Sequence, residues 1–180
     1  MNIPNILTMG RILMIPLMVV CFYWLGESGR VWAALLFAMA AVTDWFDGYL
    51  ARKLDQSTAL GAFLDPVADK LIVSVALVLL VEHFADVWLT IPAMIIVGRE
   101  IVISALREWM AELGKRANVA VSQIGKVKTA LQMISITVLL GAPNGSFAEM
   151  LGIYSLYGAA LLTLWSMLLY LRAAWPELKK

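Results

Sequence analysis

Apolar residues along this chain gather into six blocks, near residues 6–25, 31–51, 60–81, 87–109, 123–142 and 148–171. Each block approaches the roughly 20 residues a helix needs to cross about 30 Å of hydrocarbon. The polar breaks between them are short: Gly26-Glu27-Ser28-Gly29, Lys53 to Thr58, Glu82 to Asp86, a stretch around 112–122, and Ala142 to Ser146. The pattern predicts an all-α integral membrane protein of six transmembrane helices, preceded by a short N-terminal interfacial segment. No break is long enough to separate one domain from another, so residues 1–180 read as a single domain. Pro16 and Pro66 fall inside blocks and are expected to bend their helices.

Composition supports the membrane reading. Of the 180 residues, 62% are hydrophobic, more apolar surface than a soluble domain of this size can bury. The formal net charge is only +1, so bulk charge offers nothing to nucleic acid, and none is expected as a partner. The single cysteine, Cys21, excludes an internal disulfide or thiolate cluster and reads as membrane-facing filler. The first block lacks a small-residue cleavage site after its apolar run, ending instead in Phe22-Tyr23-Trp24, so it is expected to stay as a helix.

Basic residues set the expected orientation, because cytoplasmic loops carry the excess of Lys and Arg. Arg11, Arg52, Lys53, Arg107, Lys115, Arg116, Lys126, Lys128, Arg172, Lys179 and Lys180 fall on one side of the six-helix arrangement, whereas Arg30 clearly falls on the other. Both termini and the loop between the second and third helices are therefore expected in the cytoplasm. Trp24, Trp32, Trp88 and Trp175 lie near helix ends, where interfacial tryptophans anchor a protein. At the start, Asn5 or Thr8 reads as a helix cap, or both touch a substrate. His83 reads as a solvated residue of an outer loop.

Four aspartates break the apolar pattern. Asp44 and Asp47 share one helix face by spacing, and Asp65 and Asp69 share another. A carboxylate at the centre of a bilayer costs roughly 2.5–3.5 kcal/mol, so four together require a compensating cation. The short loop makes the second and third helices expected antiparallel neighbours, with the two pairs at matching depth. Hard oxygen donors suit Mg²⁺ or Mn²⁺, and two divalent ions balance four carboxylates; ions about 3.5–4 Å apart form a clamp for a phosphate or pyrophosphate. Gly48, Gly61 and Ala51 keep the nearby surface small, for close helix approach or for room beside a nucleotide. Arg52 can offer its guanidinium fork to phosphate oxygens or anchor the membrane surface.

The full spacing, Asp44-x₂-Asp47-Gly48-x₂-Ala51-Arg52-x₈-Gly61-x₃-Asp65-x₃-Asp69, resembles the signature of the CDP-alcohol phosphatidyltransferases at every fixed position. The resemblance implies a six-helix membrane enzyme that cleaves the pyrophosphate of CDP-diacylglycerol, releases CMP and transfers the phosphatidyl group to an alcohol. It implies that Asp44, Asp47, Asp65 and Asp69 bind two Mg²⁺ or Mn²⁺ ions, and that Asp69 also serves as general base. Gly48, Arg52 and Gly61 would contact the CDP part, with Ser57, Thr8 and Asn5 as further candidates. A homodimer in the bacterial cytoplasmic (inner) membrane, surrounded by lipids, is also implied.

The acceptor alcohol depends on basic residues outside that signature. Arg99 sits well inside the fourth apolar block, and Arg107, Lys126 and Lys128 follow on the same side of the membrane. An acceptor that carries its own phosphate would use them as a second anion site; the competing reading pairs Arg99 and Arg107 with Glu100 and Glu108. From the first residues to Leu164-Trp165-Ser166-Met167, the chain resembles the bacterial branch of the family that uses sn-glycerol 3-phosphate. Inositol phosphate, serine and phosphatidylglycerol are the alternative acceptors, and a cation transporter is the alternative of another class.

Overall fold

A computed structural model describes the backbone of residues 3–54, 59–114 and 123–178; within these, the side chains of 3–4, 27, 45–54, 59–60, 62, 123–124, 126 and 176–178 are outside the description. Six helices follow one another: α1 (Ile3–Trp24), α2 (Glu27–Leu54), α3 (Ala59–Phe84), α4 (Val87–Glu112), α5 (Gln123–Gly141) and α6 (Phe147–Leu178). They follow the six apolar blocks, with α2 and α6 extended beyond the blocks by polar turns. α1 continues through Pro16 and α3 through Pro66.

Local chemistry sets the turns. Gly26 has φ +59°, and a Cβ on Gly29 would lie 2.1 Å from the Cys21 carbonyl oxygen, so the tight α1–α2 turn requires glycine at both places. Cys21 is thereby buried against α2, which corrects its reading as membrane-facing filler. Asp86 caps α4 by accepting from the Trp88 backbone N–H at 3.1 Å. Ser146 accepts from the Glu149 N–H at 3.2 Å, while Glu149 reaches back to the Gly145 N–H at 3.1 Å, fixing the start of α6.

The bundle has one apolar half and one polar half. Met18 and Phe22, Ala33 and Phe37, Ile72 to Leu80, Leu89 to Ile96, Ile136 to Leu140 and Leu156 to Ala160 supply a single core from all six helices. Buried polar residues sit toward the other end: Thr8, Arg11, Lys128, Gln132 and Ser166. That polar end is N-terminal in α1, α3 and α5 and C-terminal in α2, α4 and α6. The helices therefore alternate in direction, as an up-and-down bundle must.

α1 packs against both α2 and α3, α5 against α6 and α2, and α4 against α6 and α3. Among the described residues α2 and α3 touch only sparsely. α2 and α3 run antiparallel and meet at the polar end, where Arg11 joins Asp44 of α2 to Asp69 of α3, and α1 lies against both.

Leu13, Val78, Met94, Ile101 and Leu161 point outward and are exposed, an apolar exterior that water would not tolerate. Trp24, Trp32, Trp88 and Trp175 are exposed near helix ends, as interfacial anchors should be. Among the described residues, three helices are long and apolar enough to cross a membrane, over Asn5–Trp24, Val87–Glu112 and Phe147–Trp175. The apolar part of α5, Val127–Gly141, is shorter, and α3 carries Asp65, Asp69, Lys70 and Glu82. The described residues are thus all-helical, with an apolar exterior suited to a membrane, and among them three of the six expected spans meet the length and composition of a crossing helix.

Arg30, the cation on the wrong side of the charge pattern, has a structural task. Its guanidinium donates to the carbonyls of Leu139 (3.1 Å), Leu140 (3.2 Å) and Ala142 (2.9 Å) and to Asn144 Oδ1 (2.5 Å). It caps the C-terminal end of α5, where carbonyls lack helical partners and the helix dipole favours positive charge. His83 lies in the last turn of α3 rather than in a loop, half-buried, with Nε2 3.3 Å from the same Asn144 oxygen and its ring edge-on to Phe22 and Phe84.

Candidate active site

The polar end is assembled from α1 outward. Thr8 and Arg11, three residues apart, share a face, as do Asp65 and Asp69 of α3, four apart. Thr8 Oγ1 donates to Asp65 Oδ1, and Arg11 Nη1 donates to Asp69 Oδ1. The matching order of the two contacts requires α1 and α3 to run in the same sense, one turn in register. Arg11 Nη1 also lies 3.0 Å from Asp44 Oδ1 of α2, so a single nitrogen joins carboxylates from two helices. Only 1% of Arg11 is exposed; a guanidinium so buried would be prohibitive without such partners.

Asn5 and Thr8 both lie within α1, which begins at Ile3, so neither is the cap suggested as one of two readings. Gly61 is buried in the first turn of α3. Asp47, Gly48 and Arg52 fall on α2 and Lys126 on α5, with their side chains outside the described residues, and Ser57 lies outside them altogether.

The donors brought together are hard carboxylate and hydroxyl oxygens, and a cationic nitrogen already sits between two of them. That chemistry suits a divalent cation. Among the described residues, which leave out the Asp47 side chain, no three acidic, His or Cys side chains close around one point; Arg11 engages Asp44 and Asp69, and Thr8 engages Asp65.

A cavity of about 360 Å³ opens beside this cluster. Asp44, Asp69 and Lys70 line it from α2 and α3; Arg99, Glu100 and Arg107 from α4; Lys128 and Gln132 from α5; Ser166 and Tyr170 from α6. Three of the four cations assigned to an acceptor phosphate, Arg99, Arg107 and Lys128, are therefore in one chamber with two of the four aspartates.

Arg99, Lys128 and Arg107 are each held by a defined partner. Arg99 Nη1 pairs with Glu100 Oε1 at 2.7 Å and Nη2 donates to Ser166 Oγ at 3.2 Å. Lys128 Nζ lies 3.5 Å from the same Glu100 oxygen, so one carboxylate spaces two cations. Arg107 Nη2 donates to Tyr170 Oη at 2.9 Å, and its guanidinium lies 5.1 Å from the Tyr170 ring centroid. The expected pairing with Glu100 is thus made by Arg99, whereas Arg107 turns to an aromatic hydroxyl.

Sequence reasoning missed Arg11 as a carboxylate partner, treating it as a marker of orientation. The available signal was an arginine inside an apolar block, which in a membrane demands an acid. It also missed Ser166, Gln132 and Tyr170. Gln132 and Tyr170 lie outside the segments that carry the resemblance, Ser166 lies inside one without an assigned role, and only the folded arrangement brings them to the cavity.

A family model described as CDP-alcohol phosphatidyltransferase matches residues 1–169. Proteins from Shigella flexneri, Salmonella choleraesuis and Escherichia coli are each 56% identical over 177 residues, 98% of this chain and 97% of theirs. Each bears the name CDP-diacylglycerol–glycerol-3-phosphate 3-phosphatidyltransferase.

Proposed function

Because the chain belongs to the CDP-alcohol phosphatidyltransferase family, we propose that it transfers the phosphatidyl group of CDP-diacylglycerol to sn-glycerol 3-phosphate, giving phosphatidylglycerol phosphate and CMP. The observation that carries this reading is the shared cavity, with Asp44 and Asp69 beside Arg99, Arg107 and Lys128. An acceptor that already bears a phosphate needs an anion site within reach of the reacting centre. A phosphate-free alcohol would bring no anion to a chamber in which, among the described residues, Glu100 alone offsets Arg99 and Lys128, with Arg107 on a neutral hydroxyl.

Asp44, Asp47, Asp65 and Asp69 would hold Mg²⁺ or Mn²⁺, two ions in all. When bound, such ions offset the charge that develops on the pyrophosphate oxygens as CMP departs. Asp69 lines the cavity, whereas Asp65 does not and is engaged by Thr8. We assign to Asp69, the last carboxylate of the motif and one of the two that line the cavity, the task of taking the proton of the acceptor hydroxyl as that oxygen attacks phosphorus. Arg99, Arg107 and Lys128, joined by Lys126, would bind the acceptor phosphate. Gly48, Arg52, Gly61, Ser57, Thr8 and Asn5 would meet the CDP part.

A donor that joins a nucleotide to two acyl chains presents its pyrophosphate at headgroup depth, the natural level for the polar end of this bundle. We place all six helices across the bacterial inner membrane as one domain, with both termini and the cavity on the cytoplasmic side and two copies forming a homodimer. The test supplies the purified protein with CDP-diacylglycerol, Mg²⁺ and a panel of alcohols. CMP release is expected with glycerol 3-phosphate; release only with serine, inositol phosphate or phosphatidylglycerol would reassign the acceptor.

A further inference from the structure

Arg11 occupies a position that the proposed chemistry has to clear. Its Nη1 joins Asp44 and Asp69, on separate helices, and Arg11 is almost wholly withdrawn from solvent. Without it, two carboxylates would face one another in a partly dehydrated site, and like charges there repel. With it, the Asp69 oxygen that would bind a cation or accept a proton is already hydrogen-bonded.

We infer that Arg11 is an internal counter-cation: it holds Asp44 and Asp69 together in the metal-free protein and is exchanged from them when divalent cations bind. The inference rests on the proposed assignment of these carboxylates as cation ligands. A cation entering between them meets the positive guanidinium at close range and must replace its hydrogen bonds. Arg11 therefore weakens metal binding while stabilising the empty site. Arg11 is a positioning residue in this account, because it acts through the two aspartates.

Mn²⁺ binding to the purified full-length protein tests this, with free Mn²⁺ followed by its electron paramagnetic resonance signal and thermal unfolding recorded with and without the ion. Arg11→Met removes the charge at similar length. It should bind Mn²⁺ roughly tenfold tighter than the parent, the scale of one hydrogen bond to a charged group. It should also melt lower without metal and gain more on Mn²⁺ addition. Arg11→Lys keeps the charge on a shorter side chain that reaches the two carboxylates less closely; it should bind Mn²⁺ more tightly than the parent and remain folded if Arg11→Met does not. Unchanged or weaker Mn²⁺ binding in the folded variants overturns the role of Arg11 alone. Failure of the parent protein to bind Mn²⁺ overturns the cation-site reading as well.

Discussion

Replacing Lys128 with methionine isolates the acceptor end of the cavity. Methionine matches the length of the lysine stem and deletes its charge, and Glu100 keeps Arg99 at 2.7 Å, so no buried carboxylate is stranded. Lys128 is 4% exposed, so solvent does little to screen whatever its ammonium binds. Losing one hydrogen bond to a charged group costs about 1.5–3 kcal/mol, equivalent to roughly 10- to 150-fold in binding. Since the acceptor phosphate is not the reacting phosphorus, that loss should appear as a higher KM for glycerol 3-phosphate with kcat little changed. The assay is CMP release against glycerol 3-phosphate concentration at saturating CDP-diacylglycerol, repeated with the substrates reversed. An unchanged KM for glycerol 3-phosphate, or a rise confined to CDP-diacylglycerol, refutes the reasoning and moves Lys128 to the donor phosphates.

Asp69→Asn should lower turnover by roughly 10²–10⁴-fold, the span attributable to a general base, while CDP still binds by calorimetry; near-normal turnover would remove Asp69 from that role. Arg30→Ala should destabilise the fold by on the order of 2–3 kcal/mol, because it leaves the carbonyls of Leu139, Leu140 and Ala142 without their side-chain donor. Thermal unfolding reads that loss, and both KM values should stay at the parent level, since Arg30 lies at the end of the bundle away from the cavity.

The helices were legible because hydropathy in a membrane chain is a strong signal: each crossing segment must satisfy its own backbone, so blocks and helices coincide. The aspartates were legible for the related reason that charge in such blocks is costly. What escaped was how the blocks pack. A short loop between α2 and α3 reads as antiparallel neighbours, but loop length says nothing of α1, which packs against both. Arg11 was misjudged through the same gap, since a positive charge near a helix end satisfies the orientation rule and an ion pair equally. Cys21 was assigned to lipid because helix periodicity alone does not mark the face that Gly29 draws close. Arg30 broke the orientation rule because the end of α5 needs a cation there. Tyr170 and Ser166 resemble ordinary α6 residues until the fold brings them to Arg107 and Arg99.

The central claim is that one chamber joins the carboxylate site to an anion site for a phosphorylated alcohol. The most direct measurement is mass-spectrometric identification of the lipid formed when the purified protein, in defined vesicles, receives CDP-diacylglycerol, glycerol 3-phosphate and Mg²⁺, with a parallel sample containing a chelator. The account predicts phosphatidylglycerol phosphate and CMP in equal amounts, both lost on chelation and restored by excess Mg²⁺. CMP release without that lipid, or undiminished product in the chelated sample, would contradict it.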